Sequence, residues 1–216
     1  MSEPAAAENP VEPEVTKPAV KVPARPHMPK AAVEFLDEQL KASKCFLEYG
    51  AGGSTRLAMR NKVPVIYSVE SDPDFAHAMR RIIKREKGES QVKITVPPIG
   101  PTKIWGYPEN KESVGKWPIY PLGIWDTIAA AGHMPDLALV DGRFRLACTL
   151  TCLLKMKPGS TIIFDDYVGR ERRYKDIESI IEPVALKDRT AVFTVPADLP
   201  VHDVAILLAK SVVRAE

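Results

Sequence analysis

The 216-residue sequence has few cysteines, few aromatic residues and almost no excess of either charge. Its three cysteines, Cys45, Cys148 and Cys152, are too few for a disulfide framework, and the last two lack the CxxC spacing of a metal site. Thirty basic residues against 28 acidic ones leave a formal charge of +2, which is not the footprint of a nucleic-acid-binding protein. We therefore expect buried thiols, a reducing cytoplasmic location and no nucleic-acid partner.

Long apolar segments are also missing. No uninterrupted apolar run approaches the roughly 20 residues that span a bilayer, and the first residues lack the charged-then-apolar layout of a signal peptide. These absences predict neither membrane association nor export. What the chain does have is a hydrophobic content of 45% over its full length, which is enough for one substantial core.

The composition changes near residue 29. Residues 1–29 contain seven prolines, several alanines and no aromatic residue, so they can bury little apolar surface against the entropy of ordering. We predict a disordered tail over residues 1–29 and one globular domain over residues 30–216.

Within the predicted domain, segments with strand periodicity alternate with segments of helical periodicity. The predicted helices cover residues 30–42, 54–61, 73–87, 124–131, 144–156 and 172–181. The predicted strands cover residues 45–49, 63–69, 91–96, 137–140 and 161–164, followed by a strand region over 184–195 and a last strand over 203–209. Such alternation predicts an α/β fold, with an open and mainly parallel sheet covered by helices on both faces.

Acidic residues stand at the ends of four of the predicted strands, either among the last residues of the strand or directly after it. They are Glu48, Glu70, Asp141 and the pair Asp165 and Asp166. Open α/β sheets bind ligands outside the carboxyl ends of their strands, and acidic residues are depleted within strands. Four acidic strand ends together therefore indicate a binding site.

The first of these ends leads into the glycine-rich stretch FLEYGAGGST, residues 46–55. Glycines in a strand-to-helix turn let a ligand approach the backbone N–H groups. The GxGxxG fingerprint of dinucleotide enzymes is incomplete here, because Thr55 stands in its last position, and an NAD-type oxidoreductase is therefore the weaker alternative. Glu48 can attract an ammonium or sulfonium group, and Glu70, which lies 22 positions later, can accept ribose hydroxyls. These properties together indicate S-adenosylmethionine.

Residues 48–53 (EYGAGG) and 68–71 (SVES) resemble the first motif and the second strand end of the class I S-adenosylmethionine-dependent methyltransferases. The resemblance covers essentially the whole chain from residue 30 onward. It implies a three-layer Rossmann-like fold whose seven-stranded, mostly parallel sheet has an antiparallel last strand at residues 203–209. It also implies a set of cofactor-binding residues: Glu48, Gly50, Ala51, Gly52, Gly53, Ser54, Glu70, Ser71 and Asp141.

The second half of the chain is similar to the catechol-type, metal-dependent O-methyltransferases and to a small-molecule methyltransferase group with a VDG...DDY pattern. The matching residues are 136–145 (DLALVDGRFR) and 157–167 (KPGSTIIFDDY). Carried over by position, Asp141, Asp165 and Asp166 are the catalytic residues and the ligands of Mg²⁺. The resemblance implies methyl transfer to an oxygen of a small-molecule acceptor.

Other interpretations of these three aspartates stay open. Without a metal, Asp165 or Asp166 could act directly as the base, or all three residues could shape turns and cap the segments that follow. Arg143 and Arg145 stand where those families tend to have a histidine or lysine, and arginine cannot act as a general base. A catalytically inactive, methyltransferase-like binding protein is therefore a further alternative.

The long connection over residues 97–121 contains aromatic residues and prolines. Trp105, Tyr107 and Trp117 are predicted to contact the substrate, since aromatic residues in a loop can form an apolar lid with polar edges. The same residues could instead form a small satellite core or the contact of a homodimer.

Overall fold

The computed structural model describes residues 20–215. Most of the predicted tail lies outside the described residues, and the domain boundary at residue 30 stays a prediction. Residues 20–29, which we call the N-terminal segment, run along the surface of the domain: Arg56 and Arg60 donate to the carbonyls of Pro23 and Ala24 at 3.3 and 3.1 Å.

The strands form one seven-stranded sheet in the order β3-β2-β1-β4-β5-β7-β6. Strand β7 runs antiparallel to both of its neighbours, and the pairings among β1 to β5 are all parallel. This arrangement confirms the predicted α/β fold. The strands are β1 (Cys45–Tyr49), β2 (Val65–Val69), β3 (Gln91–Thr95), β4 (Leu137–Val140), β5 (Thr161–Phe164), β6 (Ala185–Lys187) and β7 (Thr190–Thr194).

The described helices surround this sheet. They are α1 (Lys30–Ala42), α2 (Gly53–Arg60), α3 (Pro73–Glu86), α4 (Ile119–Leu122), α5 (Ile124–Ala130), α6 (Arg145–Lys155), α7 (Glu171–Tyr174) and α8 (Val201–Ser211). Asp72 caps α3 as predicted, because its carboxylate accepts from the backbone N–H groups of Asp74 and Phe75 and proline occupies the first turn. None of the helices within residues 20–215 is long and apolar enough to cross a bilayer.

The predicted last strand over residues 203–209 is wrong, since these residues lie in helix α8. Val204, Leu207 and Ser211 are its buried residues, and this spacing of three and four is helical. An apolar run of this length does not distinguish a strand from a buried helix by itself. The antiparallel strand is β7, which forms a hairpin with β6 within the region that had been predicted as one strand.

The predicted charged helix over residues 172–181 is also shorter than expected. It consists of the single turn α7 followed by a 3₁₀ turn at Lys175–Ser179.

Two hydrophobic layers cover the faces of the sheet. Cys45, Leu47 and Tyr49 of β1 face the layer that includes α5 and α6, whereas Phe46 faces the layer formed by α1 and α2. Alternation along a strand therefore points Glu48 toward α2. Cys45, Cys148 and Cys152 are buried free thiols, as predicted.

Candidate active site at the carboxyl ends of the strands

The acidic strand ends lie along one edge of the sheet. The backbone N–H of Glu70 donates to the Thr95 carbonyl at 3.0 Å, that of Asp141 to Tyr49 at 2.9 Å, and that of Asp165 to Val140 at 3.1 Å. These bonds continue the ladders of parallel neighbours beyond the strands themselves. The sheet thus brings the predicted acidic residues to its carboxyl edge.

The three glycines of the first turn serve different purposes. Gly50 has a φ of +102°, and a Cβ there would lie 2.9 Å from the backbone nitrogen of Gly142. A Cβ on Gly53 would overlap the backbone of Arg25 and Pro26 in the N-terminal segment. Only the Cβ direction of Gly52 is open, with no atom within 4 Å. Of the three, Gly52 therefore leaves room for a ligand beside the backbone.

Glu48 lies completely buried beneath this turn. Its carboxylate accepts hydrogen bonds from the hydroxyls of Ser54 and Ser68, both at 2.5 Å, and from that of Thr55. The Thr55 hydroxyl oxygen also accepts from the Gly52 backbone N–H at 2.9 Å. Threonine at this position, which interrupts the dinucleotide fingerprint, thus ties the glycine turn to Glu48.

The surroundings of Glu48 raise its pKa to about 7. Burial is the largest cause, and the nearby Glu70 carboxylate adds to it, while the three hydroxyl donors oppose the rise. The direct contact of Glu48 with a ligand's ammonium group stays a prediction. What the geometry establishes is that its two oxygens organise the turn that carries Gly52.

Glu70 lies at the end of β2, with 9% of its surface exposed. Its Oε1 accepts from the Asp72 backbone N–H at 2.9 Å and from the Ser71 hydroxyl at 3.4 Å. The long connection passes directly above, because a Cβ on Gly106 would overlap the Ser71 hydroxyl and lie 3.7 Å from Glu70 Oε1. Residues 104–107 therefore form one wall beside the predicted ribose-binding carboxylate.

Asp141, Asp165 and Asp166 converge, and each offers one oxygen within 4.8 Å of the others. Asp166 has a φ of +56°, a left-handed conformation that aspartate tolerates better than most residues. The three side chains differ in exposure, with 30% for Asp141, 17% for Asp166 and 1% for Asp165. Asp141 is thus the most accessible of the three.

Arginines surround the same three carboxylates. Arg145 lies 3.1 Å from Asp141 Oδ1 and 3.2 Å from Asp166 Oδ2. Arg189 approaches Asp166 at 2.6 Å and Asp165 at 3.2 Å, and Arg170 approaches Asp166 at 3.1 Å. Three guanidinium charges therefore balance three carboxylates, and Thr190 donates a further hydrogen bond to Asp165 at 2.6 Å.

The carboxylate donors suit Mg²⁺, but their neighbours do not. Arg145 bridges Asp141 and Asp166 with a buried guanidinium, so a divalent ion at these oxygens would lie against a positive charge at close range. The residues in this arrangement do not fit a divalent metal. The Mg²⁺ site stays a prediction.

The structural role of Arg145 could not be read from the sequence. The side chain is 3% exposed, and it also donates to the backbone carbonyls of Asp141, Gly142 and Asp165 at 3.0, 3.0 and 2.6 Å. The sequence signal was only that an arginine follows an acidic strand end at a spacing of four residues.

The predicted substrate aromatics occupy different environments. Trp105 is 75% exposed and has a φ of +63°, an unusual conformation for a bulky residue. Tyr107 stacks on Arg143, whose guanidinium carbon lies 4.0 Å from the ring centroid. Trp117 is buried rather than exposed to a ligand, because its ring is 5% exposed and packs in the core against Phe144.

The chain was compared with protein families, curated proteins and solved structures. Neither a protein-family model nor a curated protein matches the chain. Among solved structures, a methyltransferase-like protein from Silicibacter pomeroyi is 32% identical, has a TM-score of 0.78 and covers 89% of this chain and 100% of its own.

Two more distant structures share the fold alone. An O-methyltransferase from Streptomyces achromogenes, solved with S-adenosylmethionine, is 15% identical with a TM-score of 0.51, and covers 77% of this chain and 78% of its own. A methyltransferase from Podospora anserina, bound to S-adenosylhomocysteine, is 15% identical with a TM-score of 0.50, and covers 79% of this chain and 89% of its own. The sheet order, the acidic strand ends and the relative at 32% identity all agree. The chain therefore belongs to the class I S-adenosylmethionine-dependent methyltransferase family.

Proposed function

We propose that the protein transfers a methyl group from S-adenosylmethionine to a hydroxyl oxygen of a small molecule. The observation that carries this proposal is the similarity to a methyltransferase-like protein at 32% identity over 89% of this chain. The site chemistry supports it, since Gly52, which has open space beside it, lies on the turn that Glu48 holds through Thr55, and Glu70 ends the neighbouring strand β2. A solved O-methyltransferase that holds S-adenosylmethionine shares the fold.

The residues at this edge suit the parts of such a cofactor. Glu70, held by the Asp72 backbone N–H, is placed to accept ribose hydroxyls, and Ser71 lies beside it. The turn from Gly50 to Ser54 leaves space at Gly52 for the methionine portion. Bound S-adenosylmethionine supplies an electrophilic methyl group.

Asp141 is the residue best placed to take the proton from the acceptor hydroxyl. It is 30% exposed and has one ion pair, with Arg145, whereas Asp166 pairs with three arginines and Asp165 is only 1% exposed. Asp166 then acts as a positioning residue, because its carboxylate pairs with Arg145 beside Asp141, and the backbone carbonyl of Asp165 accepts from the same guanidinium. A general base typically contributes about 10²-fold or more to the rate.

Filling the open space at Gly52 tests cofactor binding. We expect Gly52→Leu to weaken S-adenosylmethionine binding by about tenfold or more, because the side chain would occupy the cofactor space. Isothermal titration calorimetry measures this loss. Gly115→Leu is the matched control, since a Cβ at Gly115 also meets no atom within 4 Å but lies in the long connection. Binding of NAD without binding of S-adenosylmethionine to the unmodified protein would reject the proposal.

Removing the proposed base tests the chemistry. We expect Asp141→Asn to lower methyl transfer about a hundredfold while S-adenosylmethionine affinity stays nearly unchanged, because asparagine keeps an oxygen for Arg145. The measurement is transfer of labelled methyl groups to a metabolite pool. If the unmodified protein binds S-adenosylmethionine and transfers nothing, the inactive binding protein is the correct interpretation.

A further inference from the structure

Arg143 differs from the other arginines at this edge. Its surface is 6% exposed, yet Nε and Nη1 of its guanidinium have no hydrogen-bond partner among residues 20–215. Arg145, two positions later, uses its guanidinium fully against carboxylates and carbonyls. The two buried arginines therefore differ: the guanidinium of Arg145 has protein hydrogen-bond partners, whereas that of Arg143 has N–H groups without one in the described structure.

The position of Arg143 places those donors at the proposed active site. Its backbone follows the Asp141–Gly142 turn, and its backbone N–H donates to the Tyr120 hydroxyl at 3.3 Å. Its guanidinium lies under the ring of Tyr107, 4.0 Å from the centroid. Tyr107 directly follows Gly106, which lies against Ser71 and Glu70. Arg143 thus reaches from the end of β4 to the wall beside the end of β2.

The charge of Arg143 lowers the pKa of the neighbouring Tyr107. Burial raises the pKa of Tyr107, but the charge and side-chain hydrogen bond of Arg143, together with the charges of Arg173 and Arg145, hold that pKa below its ordinary value. The protein therefore keeps a strongly donating cation in this space.

A buried guanidinium with free N–H groups is costly for folding unless a ligand satisfies it. Arginine also matches carboxylates and phosphates in planar, bidentate geometry. We propose that Arg143, stacked on Tyr107, binds an anionic group, a carboxylate or a phosphate, of the methyl acceptor. The acceptor is then an acidic small molecule that carries a hydroxyl, an assignment that rests on the proposed function.

The acceptor explains this cation better than the cofactor does. S-adenosylmethionine carries a sulfonium and an ammonium group against one carboxylate, so it brings a net positive charge to an edge that already holds Arg143. An anionic acceptor offsets part of this positive charge. The exposed Trp105, two residues before Tyr107, extends the same wall toward solvent, where an acceptor would enter.

The test compares acidic and neutral ligands of the same shape. With S-adenosylhomocysteine present, the unmodified protein is expected to bind 4-hydroxybenzoate about tenfold or more tightly than 4-hydroxybenzamide, as measured by calorimetry. In Arg143→Met this preference should vanish. Inorganic phosphate should likewise raise the melting temperature of the unmodified protein at matched ionic strength, and should not raise that of Arg143→Met.

Two further measurements separate a binding role from a structural one. Arg143→Met should melt at the same or a higher temperature than the unmodified protein, because it removes a buried charge that no carboxylate within residues 20–215 pairs. Arg81→Met, at an exposed arginine of α3, is the matched control and should keep the preference for the acid. S-adenosylmethionine affinity is measured for every variant, so failure of cofactor binding is seen independently of the anion preference.

Three results would overturn the inference. The first is equal affinity of the unmodified protein for the acid and the amide, with no effect of phosphate. The second is an acid preference that survives in Arg143→Met, and the third is a marked loss of melting temperature in that variant without a change in anion binding. A fall in S-adenosylhomocysteine affinity alone would assign Arg143 to the cofactor's carboxylate instead. An acid preference that depends on Arg143 in a protein that binds no S-adenosylmethionine would support the anion site and reject the proposed function.

Discussion

Arg145→Met is expected to lower the free energy of unfolding by about 3–5 kcal/mol, because it removes one partner from a buried ionic cluster. The guanidinium lies 3.1 Å from Asp141 and 3.2 Å from Asp166, and it also donates to three backbone carbonyls of the same edge. Methionine fills similar volume but leaves the carboxylates facing one another. Chemical denaturation at neutral pH measures the loss. Arg170→Met is the matched control, since Arg170 is 40% exposed and its pair with Asp166 should contribute less than about 1 kcal/mol.

The same variant also tests the metal interpretation. Without Arg145, three oxygens within 4.8 Å of one another lose the charge that bridges Asp141 and Asp166, and Ca²⁺ or Mg²⁺ can take its place. Millimolar Ca²⁺ should therefore raise the melting temperature of Arg145→Met and leave that of the unmodified protein nearly unchanged. Strong stabilisation of the unmodified protein by Mg²⁺ would show instead that the arginine yields to the metal. A loss of stability no larger than that of Arg170→Met would contradict the proposed role of Arg145.

The strand-end carboxylates were predictable because each strand is a short apolar run and an acidic residue stands at its end. Strand β1 is a continuous apolar run broken only by Glu48, and β4 and β5 are apolar runs that end directly before Asp141 and Asp165. Parallel neighbours then bring such ends to one edge without further information. For this reason β1, β4 and β5 match their predicted residues.

The partners of those carboxylates were not predictable in the same way. Arg189 meets Asp165 across 24 residues and reaches this edge only because β7 pairs antiparallel with β5. Residue 53 has to be glycine because the N-terminal segment passes against it, a contact between positions 28 residues apart. Such long-range contacts depend on topology, which local periodicity does not specify.

Some residues fit either a functional or a structural role when only the sequence is known. From the sequence, the arginines after β4 indicate only that a histidine or lysine base is missing. In the described structure, Arg145 neutralises the acidic cluster and Arg143 keeps guanidinium N–H groups without a hydrogen-bond partner. For Trp117 the sequence leaves open a lid residue, a small satellite core or a homodimer contact, and in the structure its ring packs in the core beside Phe144. An aromatic residue in a long connection fits either place, and only the packing decides.

Glu48→Gln is expected to flatten the pH dependence of stability. In the folded protein the Glu48 pKa rises from an ordinary value of 4.5 to about 7, so its contribution to folding is fully present below about pH 4.5 and is lost as the pH rises through 7. This rise corresponds to about 3 kcal/mol. Between pH 5 and 8 the unmodified protein should therefore lose roughly that much more stability than Glu48→Gln, as measured by urea denaturation.

Two variants give the controls for this comparison. Glu34→Gln, at a side chain that is 65% exposed, should leave the pH profile of the unmodified protein unchanged. Glu48→Leu should lose stability at every pH, since the buried hydroxyls of Ser54, Thr55 and Ser68 would then lack their acceptor. Parallel profiles for Glu48→Gln and the unmodified protein would show that the buried carboxyl does not titrate in this range.

The titration of Glu48 also bears on cofactor binding. A protonated Glu48 cannot attract an ammonium group, whereas the ionised form can. If Glu48 acts on the amino group of S-adenosylmethionine, the affinity of the unmodified protein should rise between pH 5.5 and 7, a range in which that amino group stays charged. Glu48→Gln should bind with nearly constant affinity over the same range. An equal pH dependence in both proteins would limit Glu48 to organising the glycine turn through its three hydroxyl donors.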